Sequence, residues 1–216
     1  MAGTPPRTRR QYMQLQFVFD YRSPYAYLAS AQLPALSAPI EHLLVDVLAV
    51  MRKVNNRPST ECPAKVRYAH VDAGRWARRY GMELRPNAAL MNALKQQLFE
   101  GAMLSLAGLA ALELGVFERV HPALFEALWA GDDDLLSEAG RIHFLRERGI
   151  DADVWHRANS SHIRDRLAHQ SEDAAERGVF GVPSFFVGSQ LFFGNDRLDF
   201  VRDALLSENA PQGSQS

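Results

Sequence analysis

The chain has 216 residues, 47% of them hydrophobic, enough for one domain with a substantial core or one domain carrying a large insertion. Its 24 Lys and Arg against 25 Asp and Glu leave a formal charge of −1, so the overall charge recruits neither nucleic acid nor an anionic membrane, and a small molecule or a protein is the expected partner. A single cysteine, Cys62, excludes an intrachain disulfide, a Cys-x-x-Cys redox centre and a cysteine-based zinc site, and with no activating His or Cys beside it the thiol reads as incidental.

Residues 1–12 carry charge without an apolar stretch and read as a flexible arm, with neither secretory signal nor membrane anchor; a reducing cytoplasm is the expected address. Residues 14–20, rich in Phe and Val, predict a strand. A helix is expected over 24–36, with Ser23 at its cap and Pro24 at its first position. The first four N–H groups of a helix have no partner inside it, so such a junction can hold a thiolate or carboxylate. A plain structural cap is the other reading. Pro39 breaks the chain and residues 40–47 read as a second strand, completing a right-handed β-α-β unit.

Residues 49–62 include Asn55-Asn56-Arg57-Pro58-Ser59-Thr60 and read as a turn-rich loop without a clear period. Helices are expected over 63–80, 87–100, 103–114, 118–130, 135–148, 152–159 and 161–177, punctuated by glycines. The seven histidines form no His-Glu-x-x-His pattern and read as solvated or capping, so no metal site is expected; Asp132-Asp133-Asp134 reads as the cap and acidic first turn of the next helix. After Gly178, two short apolar runs flank Gly188-Ser189 as a β-hairpin. Asn195-Asp196 then cap a last helix over 197–206, and residues 208–216 read as a flexible tail.

The order β-α-β, helical block, β-β-α predicts an α/β thioredoxin-like domain split by a large all-helical insertion. Residues 13–48 and 179–207 would form the domain and 49–178 the insertion. Pro183 cannot donate to a sheet ladder and belongs at a strand start. Thioredoxin-like folds place a cis proline there, beside the N-terminus of the first helix, so a cis Val182-Pro183 bond is expected.

Three segments carry a specific resemblance: Phe19-Asp-Tyr-Arg-Ser-Pro-Tyr-Ala-Tyr-Leu-Ala29, Gly178-Val-Phe-Gly-Val-Pro-Ser-Phe-Phe186 and Phe193-Gly-Asn-Asp-Arg-Leu198. With Asn56-Arg-Pro58, Lys65, Tyr68, Asp72, Arg75-Trp76 and Gly81 between them, the chain over about residues 14–206 resembles the 2-hydroxychromene-2-carboxylate isomerases. These are relatives of kappa-class glutathione transferases within the DsbA-like thioredoxin superfamily. The resemblance implies glutathione as cofactor and Ser23, standing where redox relatives carry a cysteine, as the catalytic hydroxyl that activates its thiol. It implies Val182 ahead of Pro183 as a backbone partner, Asn195 and Asp196 at the γ-glutamyl end, and Asn56 and Lys65 around the glycyl end. Lys53, Tyr68, Arg75 and Trp76 would wall a small aromatic substrate carrying a pyruvate-like carboxylate. The implied reaction is cis/trans isomerisation between 2-hydroxychromene-2-carboxylate and trans-o-hydroxybenzylidenepyruvate, or of a related aromatic-degradation intermediate, by reversible thiolate addition in a homodimer. A kappa-class-like conjugating transferase and a non-catalytic thioredoxin-like binding module stay open as alternatives. Arg22 stands where the family often has a small or apolar residue, and Ser59 where a second proline is common; both bear on substrate identity.

Overall fold

The computed structural model describes residues 14–150 and 153–208; the arm expected over 1–12 and the chain beyond 208 lie outside them. Strands β1 (Leu15–Phe19), β2 (Ile40–Leu44), β3 (Ser184–Val187) and β4 (Gln190–Phe193) form one sheet in the order β2-β1-β3-β4. β1 runs parallel to β2 and antiparallel to β3, and β3 pairs antiparallel with β4 through the expected hairpin. Because β1 is central and covered on both faces, its sequence is nearly all apolar rather than strictly alternating. On one face Phe17 stacks on Phe19 and Phe185, with ring centroids 4.7 and 5.4 Å apart. On the other, Val18 and Phe186 join Val45, Val50, Ala174 and Ala175.

Helix α1 (Pro24–Ser30) makes the crossover from β1 to β2. It ends earlier than the expected residue 36, because the Pro34 ring cannot sit over the carbonyl of residue 30 in a continuing α-helix; residues Leu33–Leu36 form a 3-10 turn instead. β2 stops at Leu44, and Asp46 accepts a hydrogen bond from Leu48 N at 3.1 Å to cap α2 (Val47–Lys53). This corrects the loop expected over 49–62, whose first five residues are helical: the cap was hidden inside an apparent strand alternation, Val45-Asp46-Val47.

The helical block comprises α3 (Pro63–Tyr80), α4 (Ala88–Lys95), α5 (Met103–Glu113), α6 (Phe117–Trp129), α7 (Glu138–Arg146), α8 (Asp153–Ala158) and α9 (Ser161–Glu176). α4 is shorter than expected, the chain turning at Gln97 with φ 58°. α7 starts at its own cap Ser137, so the Asp132–Asp134 run is not its first turn; Asp134 braces Ser137 from outside the helix. α5 is buried on almost every side, against β2, α6, α8 and α9, which is why it carries no polar stripe. After β4 a 3-10 turn, Asn195–Arg197, leads into α10 (Leu198–Glu208).

Two histidines depart from the solvated reading. His42 and His121 lie among Phe17, Phe19, Phe117 and Phe125. His121 is 7% exposed, with one ring nitrogen 2.9 Å from the Tyr21 hydroxyl and the other 2.9 Å from Ser30 Oγ. Burial, reinforced by neighbouring His42, pushes its pKa down to about 3, so the ring is neutral.

Candidate active site

The site grows from the end of β1. Asp20, 1% exposed, accepts from the Arg22 backbone N–H at 2.9 Å and from Val47 N at 3.0 Å, and its backbone carbonyl accepts from Ser23 N. This folds residues 20–23 into a tight turn that delivers Ser23 to the N-cap of α1 with extended backbone angles, its Oγ accepting from Ala26 N at 3.2 Å. The Arg22 guanidinium bridges Asp20 and Asp46, reaching the latter at 2.6 Å, and so ties the turn to the start of α2. Burial alone would lower the Arg22 pKa, but the two carboxylates outweigh it and raise it.

The Val182-Pro183 bond is cis, as expected, and Ser23 Oγ donates to the Val182 carbonyl at 3.3 Å. Two segments 159 residues apart therefore meet at the serine hydroxyl. Gly194 N donates to the Pro183 carbonyl at 2.9 Å, which fixes the following Asn195–Arg197 turn beside the same strand, and α1 packs against that turn. Asn195 is 3% exposed, and neither polar atom of its side chain completes a hydrogen bond. The Tyr80 hydroxyl lies near this amide; burial raises its pKa and the Asn195 side chain opposes the rise.

Asn195, Asp196 and Trp76 line one pocket of about 120 Å3 with Gln32, Arg79, Tyr80 and Arg202. The Asn56 amide donates to the Phe180 carbonyl at 2.8 Å, joining the 54–62 loop to the segment that leads into Val182 and the cis proline. Lys65 is exposed on the first turn of α3. Tyr68 donates to Asp72 at 3.4 Å, and Arg75 pairs with the same carboxylate at 3.7 Å. Lys53 faces α9, paired with Glu172 at 2.6 Å and Glu176 at 3.7 Å.

Three features escape the sequence reading. Tyr25, two residues beyond Ser23, donates to Asp72 at 3.1 Å and so anchors α1 to α3; burial, then Asp72, raises its pKa. Phe180 and Phe193 form an exposed aromatic pair with centroids 4.5 Å apart, packed over Gly181 beside Val182. The apolar runs around the hairpin include both rings and carry no sign that they face outward together. Arg22 is the third, a half-buried cation that bridges two carboxylates. Among the described residues no group of three or more His, Cys, Asp or Glu is placed to hold a metal ion, and no helix is long and apolar enough to cross a membrane.

A β-α-β…β-β-α sheet, a cis proline facing the first helix and a serine at that helix's cap define a thioredoxin-type domain without redox cysteines at its centre. The chain belongs to the DSBA-like thioredoxin domain family, whose family model matches residues 14–206, and within it to the group of the 2-hydroxychromene-2-carboxylate isomerases. It is 31% identical over 201 residues to the 2-hydroxychromene-2-carboxylate isomerase of Sphingobium xenophagum, covering 89% of this chain and 97% of that one. It is 23% identical over 204 residues to glutathione S-transferase kappa 1 of Caenorhabditis elegans, covering 89% and 90%. A solved structure of a 2-hydroxychromene-2-carboxylate isomerase superposes with a TM-score of 0.77 at 26% identity, covering 91% of this chain and 96% of that one.

Proposed function

We propose that this protein is a glutathione-dependent isomerase acting on 2-hydroxychromene-2-carboxylate or a closely related aromatic-degradation intermediate. The observation that carries the reading is the Ser23 hydroxyl at the cap of α1, 3.3 Å from the carbonyl that precedes a cis proline, in a family group named for that isomerisation. The residues fit glutathione on chemical grounds. Ser23 offers a donor for a thiolate, Val182 a peptide edge, the buried Asn195 amide beside Tyr80 a donor and an acceptor, and Lys65 an exposed ammonium. When bound, glutathione would supply the thiol that adds reversibly to the substrate double bond.

The chain's own part is to hold and orient. Ser23 would turn its proton from the Val182 carbonyl to the sulfur, lowering the thiol pKa by a charge-assisted hydrogen bond. That rotation would free the Val182 carbonyl to accept a ligand N–H. Asn195 and Asp196 would take the γ-glutamyl end, and Asn56 and Lys65 the glycyl end. Tyr68, Arg75, Trp76 and Lys53 are proposed for the aromatic substrate, with Phe180 and Phe193 adding an apolar wall beside Val182.

In Ser23→Ala, turnover of 2-hydroxychromene-2-carboxylate at saturating glutathione should fall by roughly 10²–10³, the usual cost of removing one preorganised donor. Unchanged turnover would reduce Ser23 to a structural cap and overturn the reading. The kappa-class relative favours a second reading, stable conjugation. Product analysis separates the two: recovered glutathione with an unmodified isomer marks the isomerase, a thioether marks the transferase.

A further inference from the structure

We propose that the bridge of Asp20, Arg22 and Asp46 sets the acidity of the thiol that Ser23 holds, with Arg22 as a positioning residue and Asp46 as the group that leaves the bridge one net negative charge. The inference rests on the glutathione reading above, for isomerase and transferase chemistry alike, and concerns residues to which that reading gives no part. Arg22 stands where the family often has a small or apolar residue, so the device is particular to this chain.

The bridge is fixed in place. Asp20, 1% exposed, accepts from Nε and Nη2 of Arg22; Nη2 also reaches Asp46 at 2.6 Å, and Asp46 accepts from Leu48 N at 3.1 Å as the cap of α2. On another side the guanidinium lies against Gly101, where a Cβ would stand 2.5 Å from Nη1. A guanidinium so enclosed, 17% exposed, acts from one position and is screened by salt less than a free surface charge.

The same turn ends on the serine. Arg22 and Ser23 are consecutive, with Cα atoms about 3.8 Å apart, and Ser23 N donates to the Asp20 carbonyl at 3.1 Å. Two carboxylates and one guanidinium leave the bridge at −1, a charge that opposes ionisation of a nearby thiol; without the guanidinium the opposing charge would double. The other carboxylates on the surrounding elements are matched: Asp72 of α3 by Tyr25 and Arg75, Asp196 by Arg197, Glu100 ahead of α5 by Arg164, and Glu172 of α9 by Lys53 of α2. Exposed Lys65 and Arg79 of α3 favour the thiolate, and His121 beside Tyr21 is neutral. These groups set the baseline. Asp46, 26% exposed, can lose its charge with the fold intact, because Asn caps a helix as well as Asp and its amide oxygen can still accept from Arg22.

The ultraviolet thiolate absorbance of glutathione bound to the full chain, titrated against pH, tests this. In Asp46→Asn the thiol should ionise at a pH lower by about 0.3–1 unit, as for removal of a unit charge roughly 10 Å from the sulfur. The acid limb of kcat/KM should move with it, giving about twofold to tenfold faster turnover at pH below the wild-type thiol pKa and equal turnover above it. Asp46→Ser, another uncharged cap, should behave alike. Glu118→Gln, at the far end of α6 about 16 Å from the Trp129 that bonds the Tyr21 carbonyl, should leave the titration where it is. A titration unmoved in both Asp46 variants, or moved as far by Glu118→Gln, overturns the inference and leaves the proposed function intact. A wild-type titration identical to that of free glutathione overturns both.

Discussion

A serine hydroxyl has one proton, and Ser23 directs it at the Val182 carbonyl over 3.3 Å, beyond the usual O–H···O distance of about 2.7–2.8 Å. So long a bond is easily given up to a stronger acceptor, which suits a side chain proposed to meet a thiolate. The same oxygen accepts from Ala26 N, so Ser23→Ala confounds a lost cap, about 0.5–2 kcal/mol, with a lost donor. Ser23→Asp separates them. Its carboxylate should cap α1 and keep the urea midpoint near wild type, yet repel a thiolate and abolish isomerisation; an active Ser23→Asp enzyme would show that the hydroxyl proton is not needed. Arg22 makes a different case, because its 17% exposed guanidinium is what balances the buried Asp20. Arg22→Leu leaves that carboxylate without its cation and should destabilise the fold by about 3–5 kcal/mol, read as a lower urea midpoint. A loss under 1 kcal/mol would mean that the N–H donors to Asp20 suffice.

Helix α5 reaches β2 only because residue 108 is glycine: a Cβ there would stand 2.4 Å from Leu44 Cδ2 and 2.9 Å from the Tyr21 hydroxyl. Helix propensity favours alanine over glycine by about 1 kcal/mol, while overpacking costs about 1–3 kcal/mol. Packing therefore wins, and Gly108→Ala should lower the thermal midpoint and loosen the Tyr21–His121 contact; a raised midpoint would show that α5 can slide away freely. Elements set by local signals were legible in the sequence. β1, the Gly188-Ser189 hairpin, the Ser23-Pro24 cap and the full length of α3 all follow from periodicity and turn chemistry. α2 was not, because Asp46 reads equally well as the polar position of a strand. The site was legible in part: Ser23, Val182 and Pro183 come together through the order of elements, which the motifs reveal. The Arg22–Asp46 bridge and the Asn195 pocket depend on which side chains α2, α3 and α10 turn toward the sheet, and that orientation is a property of packing alone.

At the scale of the whole molecule, the aromatic core holds two imidazoles that must stay uncharged. Burial pushes His121 down to about 3 and His42 to about 4, whereas an unfolded chain protonates histidine near pH 6.5. The sign follows from linkage: below pH 6.5 the unfolded state binds protons that the folded state refuses, so stability is fully present above 6.5 and is lost as pH falls toward the folded values. At about 1.4 kcal/mol per pH unit and proton, His121 alone removes roughly 3 kcal/mol by pH 4, and the less buried His42 adds a smaller amount. Urea unfolding between pH 7 and pH 4.5 should show a midpoint that falls steadily on acidification, above the range in which most carboxylates titrate. His121→Gln keeps hydrogen-bonding capacity toward Tyr21 and Ser30 without a proton to gain, so it should flatten that slope by close to one proton even where its absolute stability is lower. An unchanged slope would mean that His121 takes up its proton in the folded state, with the Tyr21 and Ser30 oxygens accepting from the imidazolium, and that acid lability comes from elsewhere in the fold.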